Sequence, residues 1–150
     1  MPSESRSVDG TRAEPGWALL FAAWLLTAVA AAGSLFFSYV MGFAPCVLCW
    51  YQRICLFPLV LILARGLFPL DRSVVKYALP LTVVGWLFAG YHNLIYFRFV
   101  PESLSPCAQG VSCSEEYVKL LGFLSIPMMS WLAFTITALL LVLVQRRPSS

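Results

Sequence analysis

Residues 45–64 of this chain read Pro-Cys-Val-Leu-Cys-Trp-Tyr-Gln-Arg-Ile-Cys-Leu-Phe-Pro-Leu-Val-Leu-Ile-Leu-Ala. From Val47 to Ala64 the run carries only two strongly polar side chains, which predicts a helix inside a lipid bilayer. Cys46 and Cys49 lie where this helix begins, three positions apart, so they can close a tight dithiol ring. A helix N-terminus lowers the pKa of a nearby thiol through its unpaired N–H groups and its dipole. The stretch therefore predicts a membrane span that opens on a reactive thiol pair.

The composition places the whole chain in the membrane-protein class. Of its 150 residues, 60% are hydrophobic and only 11% are charged, far from ordinary globular usage. Aromatic residues make up 15%, which suits anchoring at the lipid interface, whereas a net charge of +3 is too small and too scattered for a nucleic-acid partner. The expected partners therefore include membrane lipid and exclude nucleic acid.

Four apolar runs are long enough to cross a bilayer core of roughly 30 Å as helices. They cover residues 17–41, 47–64, 74–97 and 123–144. The sequence therefore predicts an all-α, polytopic membrane four-helix bundle within a transmembrane domain of residues 17–144. Residues 1–16 are predicted to be a disordered cytoplasmic tail, and residues 145–150 a second cytoplasmic tail.

The first apolar run also imitates a cleavable signal peptide. Arg12 precedes it, and Ala28-Val29-Ala30 within it looks like a cleavage site. The run nevertheless continues past that point through Leu35-Phe36-Phe37, so we expect a retained helix. Cleavage would leave the orientation of the three later spans unchanged.

Basic residues predict the orientation, because short loops rich in Lys and Arg stay in the cytoplasm. One set of loops and tails holds seven of them: Arg6, Arg12, Arg65, Arg72, Lys76, Arg146 and Arg147. The other set holds only Arg98 and Lys119. Both termini are therefore predicted to be cytoplasmic, and the loops at 42–46 and 98–122 are predicted to face outward.

The longer outward loop carries a second cysteine pair, Cys107 and Cys113. Five residues separate them and Gly110 lets the chain turn, so a disulfide would close at modest entropic cost. Residues 114–122 follow with a serine suited to the N-cap, two glutamates in the first turn and a final glycine, which predicts a short interfacial helix. Four of the five cysteines thus lie on the side away from the reducing cytosol.

Two structural disulfides or a zinc site would also use four such cysteines. A bridge between Cys46 and Cys49, however, closes almost no chain and therefore stabilises the fold little. The spacings also lack a usual zinc-ligand pattern, so no metal is predicted. Small rings of this kind are better explained as redox centres, because strain and a low thiol pKa ease exchange.

Two polar residues, Arg53 and His92, are expected at a similar depth below the outward surface. Arg53 follows Cys49 by about one helical turn, and ionisable residues inside a membrane are usually functional. The alternative for Arg53 is a side chain that snorkels to the headgroups, and the alternative for His92 is a hydrogen bond between helices. A cation and an imidazole beneath a dithiol predict a pocket for an apolar molecule with polar oxygens, which fits a quinone.

Together the motifs resemble the DsbB-type disulfide bond formation proteins and, within that family, the disulfide bond formation protein C (BdbC) branch. The resemblance covers nearly the whole chain after the tail. It rests on Pro45-Cys46-x-x-Cys49-Trp50-Tyr51-Gln52-Arg53, on Tyr91-His92-Asn93, on the closely spaced Cys107 and Cys113, and on Leu121-Gly122-Phe123 followed by Ile126-Pro127. It implies a four-helix oxidase of the bacterial cytoplasmic (inner) membrane, which reoxidises a thioredoxin-like (DsbA/BdbD-like) thiol oxidase outside the cytoplasm and passes the electrons to a quinone.

The resemblance also implies a role for each site residue. By matching positions, the quinone-facing pair is Cys46 and Cys49, the partner-facing pair is Cys107 and Cys113, and the quinone neighbours are Arg53 and His92. The second pair is compact here, whereas the better-known pattern spreads it across a long loop. Cys55 matches no redox position and is expected to be a buried small hydrophobe.

Two other functions fit parts of the sequence. A quinone reductase of the vitamin K epoxide reductase kind is also four-helical with paired thiols, but its membrane dithiol typically lies in a late helix rather than at the start of the second. A disulfide-braced membrane scaffold would need no redox chemistry, and its bridges would survive quinone depletion. For the oxidase, either ubiquinone or menaquinone fits the predicted pocket.

Overall fold

The computed structural model describes residues 15–68, 70–104, 119–120 and 124–147, with the backbone alone at 102, 119 and 120. Its four long helices are α1 (Pro15–Tyr39), α2 (Val47–Leu67), α3 (Val75–Tyr96) and α4 (Ile126–Arg146). Single turns of 3-10 helix precede α3 at Arg72–Val74 and follow it at Glu102–Leu104. Two short strands, β1 (Lys119–Leu120) and β2 (Leu124–Ser125), lie before α4.

All four helices are long and apolar enough to cross a membrane, which confirms the predicted all-α membrane bundle. Their boundaries differ from the predicted spans by a few residues: α1 begins at Pro15, α2 continues to Leu67 and α4 begins at Ile126. The late start of α4 follows from Pro127, because proline lacks an N–H and suits the first turn of a helix.

The helices form a ring in which α1 and α3 each pack against both α2 and α4. Buried apolar side chains from all four helices fill its centre, among them Leu20, Ala23, Leu59, Leu63, Ala78, Phe134 and Leu141. α3 and α4 approach closely at Gly85, where an added Cβ would stand 2.4 Å from the ring of Phe134. A residue with a side chain would therefore force the two helices apart or displace the ring.

One end of the bundle brings together the start of α1, the α2–α3 connection and the end of α4. Arg72 Nη1 donates a hydrogen bond of 3.0 Å to the carbonyl of Arg147. The same guanidinium lies against Gly16, since a Cβ placed there would be 2.8 Å from its Nη2. The first and last described residues thus lie at the same end; that this end is cytoplasmic stays a prediction.

A tight connection between α1 and α2 places Cys46 at the opposite end. Gly42 has a φ of 72°, a left-handed conformation that costs glycine little. Just beyond it, the N–H of Phe43 donates to the carbonyl of Phe37 over 3.0 Å. The chain then reaches α2 without further regular structure, so the thiol pair begins directly at the mouth of the bundle.

The predicted interfacial helix at residues 114–122 is wrong at positions 119 and 120. These residues form β1, which pairs antiparallel with β2, with Lys119 opposite Ser125 and Leu120 opposite Leu124. Ser125 has extended backbone (φ −80°, ψ 157°) as the N-cap residue of α4, so β2 offers N–H and C=O groups that β1 can satisfy. The remaining residues of the predicted helix lie outside the described part of the chain.

Candidate active site

The thiol pair lies in the first turn of α2. Cys46 is the N-cap residue, with extended backbone (φ −72°, ψ 169°), and its carbonyl accepts the N–H of Trp50 over 3.1 Å. The Sγ atoms of Cys46 and Cys49 are 3.0 Å apart, and both thiols are free. Cys46 is only 6% exposed. Helix geometry thus holds the two sulfur atoms close enough to form a disulfide after a small rotation.

The surroundings of Cys46 lower its pKa to about 4. The largest cause is the hydrogen bond from the thiol of Cys49; burial raises the pKa, and a hydrogen bond from His92 lowers it. The backbone N–H of Cys49 contributes least to the lowered pKa, and the side chain of Cys46 makes no capping hydrogen bond to α2. The predicted effect of the helix N-terminus is therefore minor here, because neighbouring side chains supply most of the stabilisation.

His92 connects the thiol pair to the interior of the bundle. It is 3% exposed, and its Nε2 lies 3.8 Å from the Sγ of Cys46. Its Nδ1 lies 3.2 Å from the Nε2 of Gln52, which is itself buried. The Oε1 of Gln52 in turn accepts a hydrogen bond from the hydroxyl of Ser130 on α4. Side chains of α2, α3 and α4 thus form a continuous polar path to Cys46.

Arg53 reaches across to α1 and is 6% exposed, so its side chain does not snorkel to the headgroups. Its Nε donates to the hydroxyl of Ser34 and its Nη2 to the Ser34 carbonyl, each over 2.7 Å, and Nη2 also donates to the hydroxyl of Ser38. The guanidinium carbon lies 5.4 Å from the centre of the Trp50 ring, within range of a cation–π contact. The arginine is therefore held rigidly between α1 and α2.

A cavity of about 530 Å³ adjoins these groups. Cys46, Cys49, Arg53 and His92 all line it. Most of the remaining wall is apolar and comes from α1, α2, α4 and the segment before α4, with Leu26, Phe37, Leu56, Leu124, Met129 and Phe134 among its residues. Sites for small organic molecules have this character, with apolar walls and a few convergent polar groups.

Sulfur and imidazole nitrogen are also metal donors, and the donor atoms of Cys46, Cys49 and His92 lie within 4.8 Å of one another. Two thiolates on one zinc ion stand roughly 3.8 Å apart, as tetrahedral bonds of about 2.3 Å require. The sulfur atoms are 3.0 Å apart, which is closer than two ligands of one zinc ion stand. That the site works without a metal stays a prediction.

The family model of the disulfide bond formation protein DsbB matches residues 14–144. This chain belongs to the DsbB family. It is similar to a probable disulfide formation protein of Metapseudomonas resinovorans, with 44% identity over 132 residues that cover 87% of this chain and 92% of the relative. It is 39% identical to disulfide bond formation protein C of Bacillus subtilis (strain 168), over 87% of this chain and 94% of the relative. No solved structure matches the chain.

Membership of the DsbB family confirms the resemblance drawn from the motifs. Combined with four helices that can cross a membrane, it makes the chain a multi-pass membrane protein of disulfide formation. The family also implies oxidoreductase activity.

The structure brings four of the six predicted DsbB-type site residues to one cavity: Cys46, Cys49, Arg53 and His92. The other two, Cys107 and Cys113, lie outside the described residues, so their pairing and role stay predictions. Cys55 is buried in α2, as expected of a small hydrophobe.

Sequence reasoning missed four polar residues of the site: Ser34, Ser38, Gln52 and Ser130. A signal existed for the serines of α1, which stand four positions apart in an otherwise apolar span. A signal also existed for Gln52, one of the two polar interruptions of α2. For Ser130 there was none, because its position opposite Gln52 depends on how α4 packs against α2 and α3.

Proposed function

We propose that this protein is a thiol–disulfide oxidoreductase of the bacterial cytoplasmic (inner) membrane that reoxidises an extracytoplasmic, thioredoxin-like thiol oxidase and passes the electrons to a membrane quinone. The overall reaction converts a partner dithiol and a quinone into a partner disulfide and a quinol, so two electrons and two protons move together. The observation that carries the proposal is a free thiol pair, Cys46 and Cys49, lining a largely apolar cavity within a membrane bundle.

The chemistry of the cavity supports a quinone as the acceptor. Its volume of about 530 Å³ suits a small organic ring, and its largely apolar wall carries the polar side chains of Arg53 and His92. Within the described part of the chain no carboxylate pairs with Arg53, whose hydrogen bonds go to neutral oxygens of Ser34 and Ser38. A buried cation without a carboxylate partner favours an oxygen that carries negative charge. When bound, ubiquinone or menaquinone supplies a two-electron, two-proton acceptor.

The roles of the thiols follow from their pairing. The hydrogen bond with Cys49 lowers the pKa of Cys46, so we assign the thiolate of the pair to Cys46 and the S–H to Cys49. When the two sulfur atoms join, the pair gives up two electrons and Cys49 gives up its proton. Arg53 stabilises negative charge in the cavity, and His92 holds a ring nitrogen beside Cys46 for hydrogen bonding or proton transfer.

The partner-facing pair is proposed to be Cys107 and Cys113. Val100 packs against the cluster that contains Cys46, and Cys107 follows it by seven residues, which extend to at most roughly 25 Å. Leu124, which lines the cavity, follows Cys113 by eleven residues. Both ends of the outward loop therefore begin beside the candidate site, which supports exchange between the two cysteine pairs.

Quinone absorbance provides the test. Purified protein mixed with a reduced thioredoxin-like substrate and a quinone should reduce the quinone in a cysteine-dependent way. Cys46→Ala should abolish the absorbance change, whereas Cys55→Ala, a matched substitution in the same helix outside the cavity, should retain it. Unchanged turnover in Cys46→Ala would refute the role of this thiol, and no absorbance change with the unmodified protein would favour a disulfide-braced scaffold.

A further inference from the structure

Three polar side chains, each from a different helix, form a path that ends at Cys46; Gln52 and His92 are buried and Ser130 is half-buried. The hydroxyl of Ser130 on α4 donates to the Oε1 of Gln52 on α2. The Nε2 of Gln52 lies 3.2 Å from the Nδ1 of His92 on α3, and the Nε2 of His92 lies 3.8 Å from the Sγ of Cys46. We call Ser130, Gln52 and His92 the polar triplet.

The polar triplet has a direction. Because the Ser130 hydroxyl occupies the carbonyl oxygen of Gln52, the side of the amide that faces the imidazole is its NH₂ group. An amide nitrogen can only donate, so the Nδ1 of His92 must accept. A neutral imidazole then carries its single proton on Nε2, the nitrogen that faces Cys46.

We propose that Gln52 and Ser130 are positioning residues that keep the proton of His92 on Nε2, so that the imidazole always offers a donor to the sulfur of Cys46. This inference rests on the proposed function only in taking Cys46 as the redox thiol. With the opposite tautomer the imidazole would turn a lone pair toward the thiolate and destabilise it. A buried glutamine inside a membrane span also costs free energy unless both ends of its amide are hydrogen-bonded, as they are here.

Among the described residues, the ionisable groups around Cys46 come from α2 and α3. From α2 they are Cys49 and Arg53, and from α3 they are His92 and Tyr91. In the part of the chain that the structure describes, α1 and α4 contribute only neutral hydroxyls to this wall of the cavity. Gln52 is the hydrogen-bond partner on the Nδ1 side of His92, so its amide directs the proton of the neutral ring to Nε2.

The first test reads the tautomer directly. His92 is the only histidine of the chain, so the ring of protein labelled with ¹⁵N-histidine gives a single set of NMR signals. In reduced, full-length protein in detergent near pH 7.5, without quinone, we expect a bare Nδ1 and a protonated Nε2. A proton on Nδ1, in either a neutral or a charged ring, would overturn the proposal.

The second test measures what the tautomer does to Cys46. The rate of iodoacetamide alkylation at Cys46, located by tandem mass spectrometry, is followed against pH in reduced protein. Gln52→Met preserves length and volume but removes both hydrogen bonds, and should raise the pH midpoint of alkylation by about one unit. Ser130→Ala should give a smaller rise in the same direction, and Ser130→Thr, which keeps a hydroxyl, should restore the midpoint.

Controls separate positioning from general damage to the fold. Thr135→Ala removes a hydroxyl of α4 that bonds Trp86 away from the thiol pair, and should leave the midpoint unchanged. An unaltered midpoint in Gln52→Met that melts like the unmodified protein would refute the proposal. If Gln52→Met does not fold, the proposal is tested by the NMR signals of the unmodified protein and by the alkylation midpoint of Ser130→Ala. A proton on Nδ1 or an unchanged midpoint would then refute it. Both readouts omit quinone and partner, so they can fail or succeed independently of quinone reduction.

Discussion

Arg53 shows how a charged residue can be kept inside a membrane span. Its guanidinium is buried, and three of its hydrogen bonds go to Ser34 and Ser38, which stand one turn apart on α1. These neutral partners fix the position of the guanidinium group without neutralising its charge. A carboxylate would have fixed the group and neutralised the charge as well. The positive charge is therefore still available to a ligand in the cavity, which is what stabilisation of an anionic oxygen requires.

Arg53→Lys tests whether the hydrogen-bonded guanidinium group contributes more than its positive charge alone. Lysine keeps the charge but cannot satisfy both serines in the same geometry, so we expect kcat/KM for quinone to fall roughly tenfold or more. Arg65→Lys is the matched control, since this residue lies at the far end of the same helix and bonds only the carbonyl of Phe68 among the described residues. Equal quinone kinetics for the two variants, measured by absorbance, would contradict the role given to Arg53.

The residues of the candidate site were partly predictable from the sequence. Cys46, Cys49 and Arg53 share one helix, so their spacing alone places them on one face. The depth estimate put His92 level with Arg53, and both residues line the same cavity. The main cause of the lowered pKa of Cys46 was not predictable, because the side chains of Cys49 and His92 contribute more than the backbone N–H at the helix end.

Among the elements, α3 and α4 pack together through a glycine rather than through interlocking large side chains. Gly85 leaves room for the ring of Phe134, and just beyond it the indole of Trp86 donates to the hydroxyl of Thr135 over 2.9 Å. In a membrane, helices gain little from the hydrophobic effect and associate through such close contacts and hydrogen bonds. The close approach at Gly85 therefore helps to set the position of α4 against α3.

Gly85→Ala should destabilise the bundle. Its Cβ would meet the Phe134 ring at 2.4 Å, so we expect a loss of roughly 1–3 kcal/mol and a melting temperature several degrees lower in detergent. Gly33→Ala is the control, because a Cβ there meets no atom within 4 Å, and better helix propensity should leave stability equal or up to about 1 kcal/mol higher. Adding Phe134→Leu to Gly85→Ala should recover part of the lost stability. Equal melting temperatures for the two glycine variants would contradict the prediction, because they would show that the Phe134 ring moves aside without cost.

The elements themselves were predictable where a long apolar run left one choice, and less so at the loop ends. The four helices follow from runs too long and too apolar for anything else. At Lys119–Leu120 the local signs of a helix were outweighed by pairing with β2, a contact across the loop that a pattern of caps and charges does not contain.

For the whole molecule, the two ends of the bundle are chemically different. At one end Arg72 donates a hydrogen bond to the carbonyl of Arg147, and both belong to the set of basic residues that predicts the cytoplasmic side. The other holds Cys46 at its mouth and leads through Val100 into the segment that carries Cys107. Thiol–disulfide exchange between the two cysteine pairs requires both pairs to lie on the same face of the membrane. The orientation of the bundle therefore decides whether the proposed reaction with an extracytoplasmic partner is feasible.

Single cysteines placed at the two ends of α3 test the orientation. In a variant without its native cysteines, Leu104→Cys should react with a membrane-impermeant maleimide in intact cells, because Leu104 is exposed at the end that holds Cys46. Asp71→Cys, in the α2–α3 connection, should react only after the membrane is permeabilised. The reverse pattern would place the thiol pair in the reducing cytosol, where a partner that forms disulfides would not be found. Such a result would contradict the proposed partner while leaving the fold and the cavity as described.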